Sequence, residues 1–291
     1  MLLESSSIAC IDAGLRAETG GPLVPLLARD DHDRPSVFRP ESMLREARSQ
    51  KGLAPGRVPP VCVLDPDGDI VEHVKARFHA SKSPSWACYH TTLWEWEADG
   101  CAYGIIGCAV GGAFAVLVAE ELFASGCEVL VSIASAGQIA PVARPPYHIL
   151  IERALRDEGT SYHYLAAARY AAADPALIAL AAHAFEQASC PARIGSTWTT
   201  DAPFRETAEA IDMRRREGVL AVEMEAAALY AFSAARRCPV ICVAHVSNQL
   251  GRVEGDFKKG DGNGACSSMN LLSAFSEAWR RTPRTDRRET T

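Results

Sequence analysis

The stretch that most constrains this chain is GVLAVEMEAAALYAFSAARRCPVICVAHVSNQL, residues 218–250. Ala226 to Arg237 contains no Gly or Pro and is almost wholly strong helix formers, so it predicts a helix. Arg236 and Arg237 suit the negative end of its dipole, and Pro239 stops it. Val240 to Val246 is a continuous apolar, largely β-branched run, which predicts a strand covered on both faces. A helix feeding such a strand places the chain in the α/β class. Glu223 and Glu225 fall at the helix start, the end of an α/β unit where ligands bind. On local physics alone they either complement the helix N-terminus or serve a site.

The remaining composition narrows the function. With 291 residues the chain is long enough for one large domain, and 48% hydrophobic with 23% charged residues is ordinary for a soluble enzyme. A net charge of −6 and a pI near 5.8 argue against a nucleic-acid-binding surface. Ten cysteines form no CxxC pair, and several sit within apolar runs, where a free thiol behaves as a small hydrophobe. There is no basic-then-apolar leader and no apolar run long enough for a membrane, so a reduced, cytoplasmic protein is expected.

Three segments are expected: residues 1–59, an extension with a short helix from Arg39 to Arg48; residues 60–281, the main domain; and residues 282–291, a disordered tail. Within the main domain, Val61–Leu64 predicts the first core strand. The acidic turn Asp65-Pro66-Asp67-Gly68-Asp69 follows, then a helix from Ile70 to Phe78. Trp94 and Trp96 alternating with Glu95 and Glu97 predict a half-buried strand. Cys101–Val110, an apolar helix from Gly111 to Ser125, and Glu128–Ile133 predict a βαβ unit. Asp174–Ala188 predicts a peripheral helix and Ile194–Thr200 another strand. The acidic turn lacks the later ligands of a calcium loop, so no metal is expected.

GVLAVEMEAAALYA resembles the signature of the nucleoside phosphorylase superfamily, in the branch of uridine phosphorylase and the hexameric purine nucleoside phosphorylases. The resemblance runs from about Pro60 to Arg280. It implies a three-layer α/β/α fold with a mixed central sheet partly closed into a barrel. It also implies cleavage of a nucleoside N-glycosidic bond in nucleotide salvage, with no cofactor. Nucleoside and inorganic phosphate, or water, are the implied partners. No nucleic acid or membrane is expected, and a homo-oligomer, dimer or hexamer, is.

Carried over by motif, Met224 and Glu225 hold the sugar, with Glu223 beside them and His163 toward the 5′-hydroxyl end. One carboxylate has two acceptor oxygens and can take adjacent hydroxyls. Thr200-Asp201-Ala202-Pro203-Phe204 resembles the loop whose aromatic packs on the base, giving Phe204, with Trp198 second; either aromatic is equally suited to a core. Asn248, with Gln249, stands where the purine-cleaving relatives have an Asp that protonates the leaving base. A carboxamide can hydrogen-bond the base but cannot act as a general acid. Ala134-Ser135-Ala136-Gly137 resembles the family's phosphate turn, and Gly112 opens a helix.

The acidic turn matches the phosphate loop in position, but Ile70, or a neighbour, replaces its arginine. Ser132 replaces a second, and no arginine occurs between Phe78 and Gly100 to supply the third. The first expectation is a phosphorylase with a rearranged phosphate site. A hydrolase in which Asp67 or Asp69, beside Gly68, activates water is the alternative. A non-catalytic nucleoside-binding protein is a third.

Overall fold

A computed structural model describes residues 24–251 and 254–283. Most of the expected extension over residues 1–34, and nearly all of the tail, lie outside those residues.

The main sheet begins with β1 (Val61–Asp65), which leads into helix α2 (Asp69–Arg77). The short β2 (Ser81–Lys82), β3 (Trp94–Ala98) and β4 (Cys101–Gly107) follow, then helix α3 (Gly112–Ala124). Next come β5 (Val129–Gln138), β6 (Tyr147–Asp157), β7 (Tyr170–Ala172), helix α4 (Pro175–Gln187) and β8 (Ala192–Thr200). Helix α5 (Ala208–Arg216), β9 (Ala221–Glu223), helix α6 (Ala226–Arg236), β10 (Val240–Asn248) and helix α7 (Ala265–Arg281) complete it. Helix α1 (Pro40–Gln50) precedes them all and packs Leu44 and Ala47 against Ala87.

The strands form one mixed sheet in the order β10-β6-β8-β9-β5-β1-β4-β3-β2, with β7 on β6. Strand β10 also pairs in parallel with β5, which closes β5, β10, β6, β8 and β9 into a five-stranded barrel. The expected mixed, partly closed sheet is therefore present. Its core strands are apolar on both faces because each face has its own helical layer. Cys62 and Leu64 of β1 pack with α3 and α6, whereas Val61 and Val63 pack with α2, α4 and α7. Alternate residues thus enter different cores, and a continuous apolar run results.

Helix α6 is the most enclosed, with Ala226 to Phe232 all at most 1% exposed. Its alanines let it lie close to both α3 and the barrel. Tyr230 fastens it there, its hydroxyl donating to Ile151 O at 2.5 Å and accepting from Cys242 N–H at 3.0 Å. All nine cysteines within the described residues are free. Among the described residues no helix is long and apolar enough to cross a membrane.

One local expectation is corrected. Ala134 to Gly137 is not a turn but part of the last half of β5, paired with Ala244, His245, Val246 and, across a register shift at Ser247, Asn248 of β10. The residues from Arg153 to Asp157 form the second half of β6, held by β8 and β7. In both places partners distant in sequence extend the strand, which short-range pattern does not reveal.

Candidate active site at the barrel rim

The carboxyl ends of β1, β5 and β10 meet the start of α6 around Gly137, which pairs with Asn248 on one side and Val222 on the other. A Cβ on Gly137 would lie 2.1 Å from Leu250 Cδ2 and 3.3 Å from Asn248 Oδ1, so a side chain there would displace Leu250 and crowd Asn248.

Pairing between β1 and β5 ends at Ser132, and β9 joins β5 only at Gly137. The edge of β5 between them has no strand partner, which leaves the Ser135 N–H available. Asp67 takes it. Its Oδ2 accepts from Ser135 N–H at 2.9 Å and its Oδ1 from the Ser135 hydroxyl at 2.8 Å. A carboxylate of the chain thus occupies the donors that the sequence assigned to phosphate. The turn that presents it is set by Gly68, at φ 83°, and by Asp65, which accepts from Val71 N–H at 2.9 Å in the first turn of α2. Burial pushes the Asp65 carboxyl up to about 7, with the charge of Asp67 adding to it.

Asp69, the alternative candidate, is engaged differently. It accepts from Lys259 Nζ at 2.5 Å and Asn263 Nδ2 at 3.1 Å, fastening the segment before α7 to the start of α2. The same lysine nitrogen lies 3.7 Å from Asp67 Oδ1.

Glu225 is 3% exposed. Its Oε1 accepts from Gly111 N–H at 2.7 Å and its Oε2 from Met224 N–H at 3.2 Å. Burial, then the neighbouring Glu223, raises its carboxyl to about 8, and Asp67 contributes in the same direction. Asp67 and Glu225 therefore share one field. Half-buried Met224 lies between Glu223 and Glu225 in sequence, its carbonyl near Gly112. Asn248 is 9% exposed; its Oδ1 accepts from Leu250 N–H at 3.0 Å, while its amide N–H group has only long contacts, 3.3 Å to Ser247 Oγ and 3.4 Å to Ala136 O. Gln249 is held by its backbone, its N–H donating to the Asp256 carboxylate at 2.8 and 2.9 Å.

The other residues singled out in the sequence lie in other settings. Glu223 caps α6, accepting from the N–H groups of Glu225 and Ala226, both at 2.7 Å, and from the hydroxyls of Thr197 and Thr199. Gly112 is a packing residue: a Cβ there would lie 2.8 Å from Ala228 Cβ, so the glycine lets α3 approach α6. Trp198 belongs to a small core with Leu155, Ile211 and Val222, its indole N–H donating to Asp157 at 2.9 Å. Phe204 is 100% exposed on the turn after β8. His163 is exposed and pairs with Arg29 of the N-terminal segment, Nδ1 to Nη1 at 3.0 Å.

The expected cation positions are filled by apolar or small groups. Ile70 is buried in the core against α7, and Ser132 is 2% exposed inside the sheet. Arg156 is buried, donating to Ser161 and to the carbonyls of Leu165 and Ala166. Arg153 stacks on Tyr170 at 4.7 Å, and Lys82 lies over Trp94 at 5.8 Å.

Sequence reasoning did not single out Lys259, Asp256 or Asn263. The only signal was a Lys-Lys pair within a Gly-rich loop, and its meaning depends on how that loop folds back over α2. A family model described as "Phosphorylase superfamily" matches residues 60–277, more than two-thirds of the chain, and no curated protein matches it.

Proposed function

The chain belongs to the phosphorylase superfamily, and on that premise we propose that it cleaves the N-glycosidic bond of a nucleoside with water as the nucleophile. The observation that carries this reading is the Asp67 carboxylate on the Ser135 N–H and hydroxyl. Phosphate on those donors would have to displace Asp67 and enter a space bordered by Asp65, Asp69 and Glu225, where Lys259 is the one cation paired among the described residues. Coulomb repulsion of a dianion by the Asp67 and Asp69 carboxylates makes that exchange unfavourable, whereas neutral water is not repelled.

In this mechanism Glu225 takes the ribose hydroxyls as hydrogen-bond donors while Gly111 N–H holds its carboxylate in place. Positive charge grows on the sugar as the bond to the base lengthens, and the carboxylates stabilise it. Asp67 accepts a proton from water as the water oxygen bonds to C1′. The electron pair of the glycosidic bond leaves with the base nitrogen, and the base takes a proton from solvent. The Asn248 amide hydrogen-bonds the departing base without protonating it, which suits a 6-oxopurine or pyrimidine. The products are free ribose and free base. The protein is also read as a homo-oligomer, dimer or hexamer, and sedimentation of the purified chain checks this.

The test is Asp67→Asn, which keeps the shape and removes the base. Loss of a general base lowers the rate by about 10²–10⁴-fold, with little change in KM for the nucleoside. Wild-type turnover in this variant would exclude Asp67 as the base.

A further inference from the structure

Asp67 is exposed, and a carboxylate on a turn has other rotamers open to it. What restrains it besides Ser135 comes from a part of the chain almost 200 residues away in sequence. Lys259 lies between two carboxylates, 2.5 Å from Asp69 Oδ2 and 3.7 Å from Asp67 Oδ1. Partial burial works against its ammonium group, but the hydrogen bond to Asp69 and the charges of Asp67, Asp69 and Asp65 outweigh this and raise it above its usual range. The loop that carries it is fixed at both ends. Asp256 accepts from the N–H groups of Gln249 and Gly251, and Asn263 donates to Asp69. Next to this loop, a Cβ on Gly264 would lie 2.1 Å from the ring of His245, so the turn into α7 is seated directly on that imidazole.

We propose that Lys259 is a positioning residue for the hydrolytic reaction, holding the Asp67 carboxylate on Ser135 and balancing its charge. The inference rests on the reading of Asp67 as base. The groups around Asp67 are Asp65 from β1, Asp69 from α2, His245 from β10, Glu225 before α6, and Lys259. Four of these five are acids or a histidine that burial keeps from protonating. Removing Lys259 leaves Asp67 beside Asp65 and Asp69 with no paired cation among the described residues, and with Ser135 alone to fix its rotamer. Asp69 keeps Asn263 as a partner, so the loop retains one of its ties to α2.

Three variants test this against a merely structural role. Lys259→Met removes the charge, Lys259→Arg keeps it, and Asn263→Gly loosens the loop while preserving the left-handed backbone found there at φ 57°. In Lys259→Met, kcat for nucleoside hydrolysis falls by about tenfold or more with KM little changed, as expected when one charge-assisted contact to the base is lost. The acid limb of its rate profile moves to higher pH, and a crystal structure shows Asp67 off Ser135. Lys259→Arg restores part of the rate, and Asn263→Gly keeps the wild-type acid limb.

A Lys259→Met protein with the wild-type acid limb and Asp67 still on Ser135 overturns the inference, as does an Asn263→Gly variant with the same defect as Lys259→Met. If the wild-type protein hydrolyses no nucleoside, the reading of Asp67 as base fails by itself. The Asp67 position in Lys259→Met then still decides whether Lys259 holds that side chain.

Discussion

Glu225 and Asn248 were singled out in the sequence because EMEAA and Ser247-Asn248 are local patterns. Their protonation and their partners were not legible, because Gly111 and Asp67 approach from other elements. A carboxyl raised to about 8 holds a proton in much of the free protein near neutrality. Sugar hydroxyls that donate to it favour the ionised form, so nucleoside binding releases that proton and kcat/KM rises with pH through about 8. Glu225→Gln removes this limb and lowers kcat/KM by roughly a hundredfold, equivalent to two charge-assisted bonds at about 1.5 kcal/mol each. Initial rates from pH 6 to 9 check both effects; a retained limb in Glu225→Gln assigns it elsewhere. Asn248→Asp adds a carboxyl able to protonate a base, and shifts the adenosine-to-inosine preference ratio upward. An unchanged ratio would remove Asn248 from base recognition.

At the scale of elements, the strongest sequence patterns were borne out: α6 and β10 occupy nearly the expected residues, and β1, α3 and β8 follow. Strands β6, β7 and β9 and helix α5 were missed. Their signals are weak because each is held by partners distant in sequence or is short: β9 is three residues long and is held by β5 and β8 together. The roles of Glu223 and Gly112 were invisible for a related reason. One depends on Thr197 and Thr199 of β8, the other on the closeness of α3 to α6. That closeness has a measurable consequence. Gly112→Ala inserts a methyl group 2.8 Å from Ala228 Cβ, and overpacking of this kind costs about 1–3 kcal/mol. The helices must separate, carrying Gly111 N–H away from Glu225. The expected result is a melting temperature lower by about 2–12 °C together with a raised KM for nucleoside. A variant that loses stability alone would uncouple α3 packing from the sugar site.

At the scale of the whole molecule, titration of buried groups shapes stability on both sides of neutrality. Asp65 and Glu225 bind protons more tightly when folded, at about 7 and 8 against ordinary values of 3.8 and 4.5. Their contribution is complete below those ordinary values and is lost as pH rises through the folded ones. Burial lowers His148 to about 4, and lowers His245 as well, both from 6.5. Their contribution is complete above 6.5 and is lost as pH falls toward the lowered values. The two trends offset each other between about pH 4.5 and 6.5, and above that only the decline from the two acids remains, so stability falls as pH rises from about 6.5 to 8 and Glu225→Gln flattens that fall. Thermal unfolding across pH 4–9 checks this, and a wild-type maximum above about pH 8 would contradict the assigned shifts. The family and the mixed barrel-like sheet were legible across the domain, because they rest on long apolar runs and one strong motif. The nucleophile was not, since absent arginines indicate what is missing and only the folded turn shows Asp67 on Ser135. The central claim is water attack, and product analysis tests it most directly. A nucleoside panel is incubated with the purified protein with and without inorganic phosphate, and the sugar product is identified. The account predicts free ribose at one rate in both conditions; ribose 1-phosphate formed only when phosphate is present would contradict it.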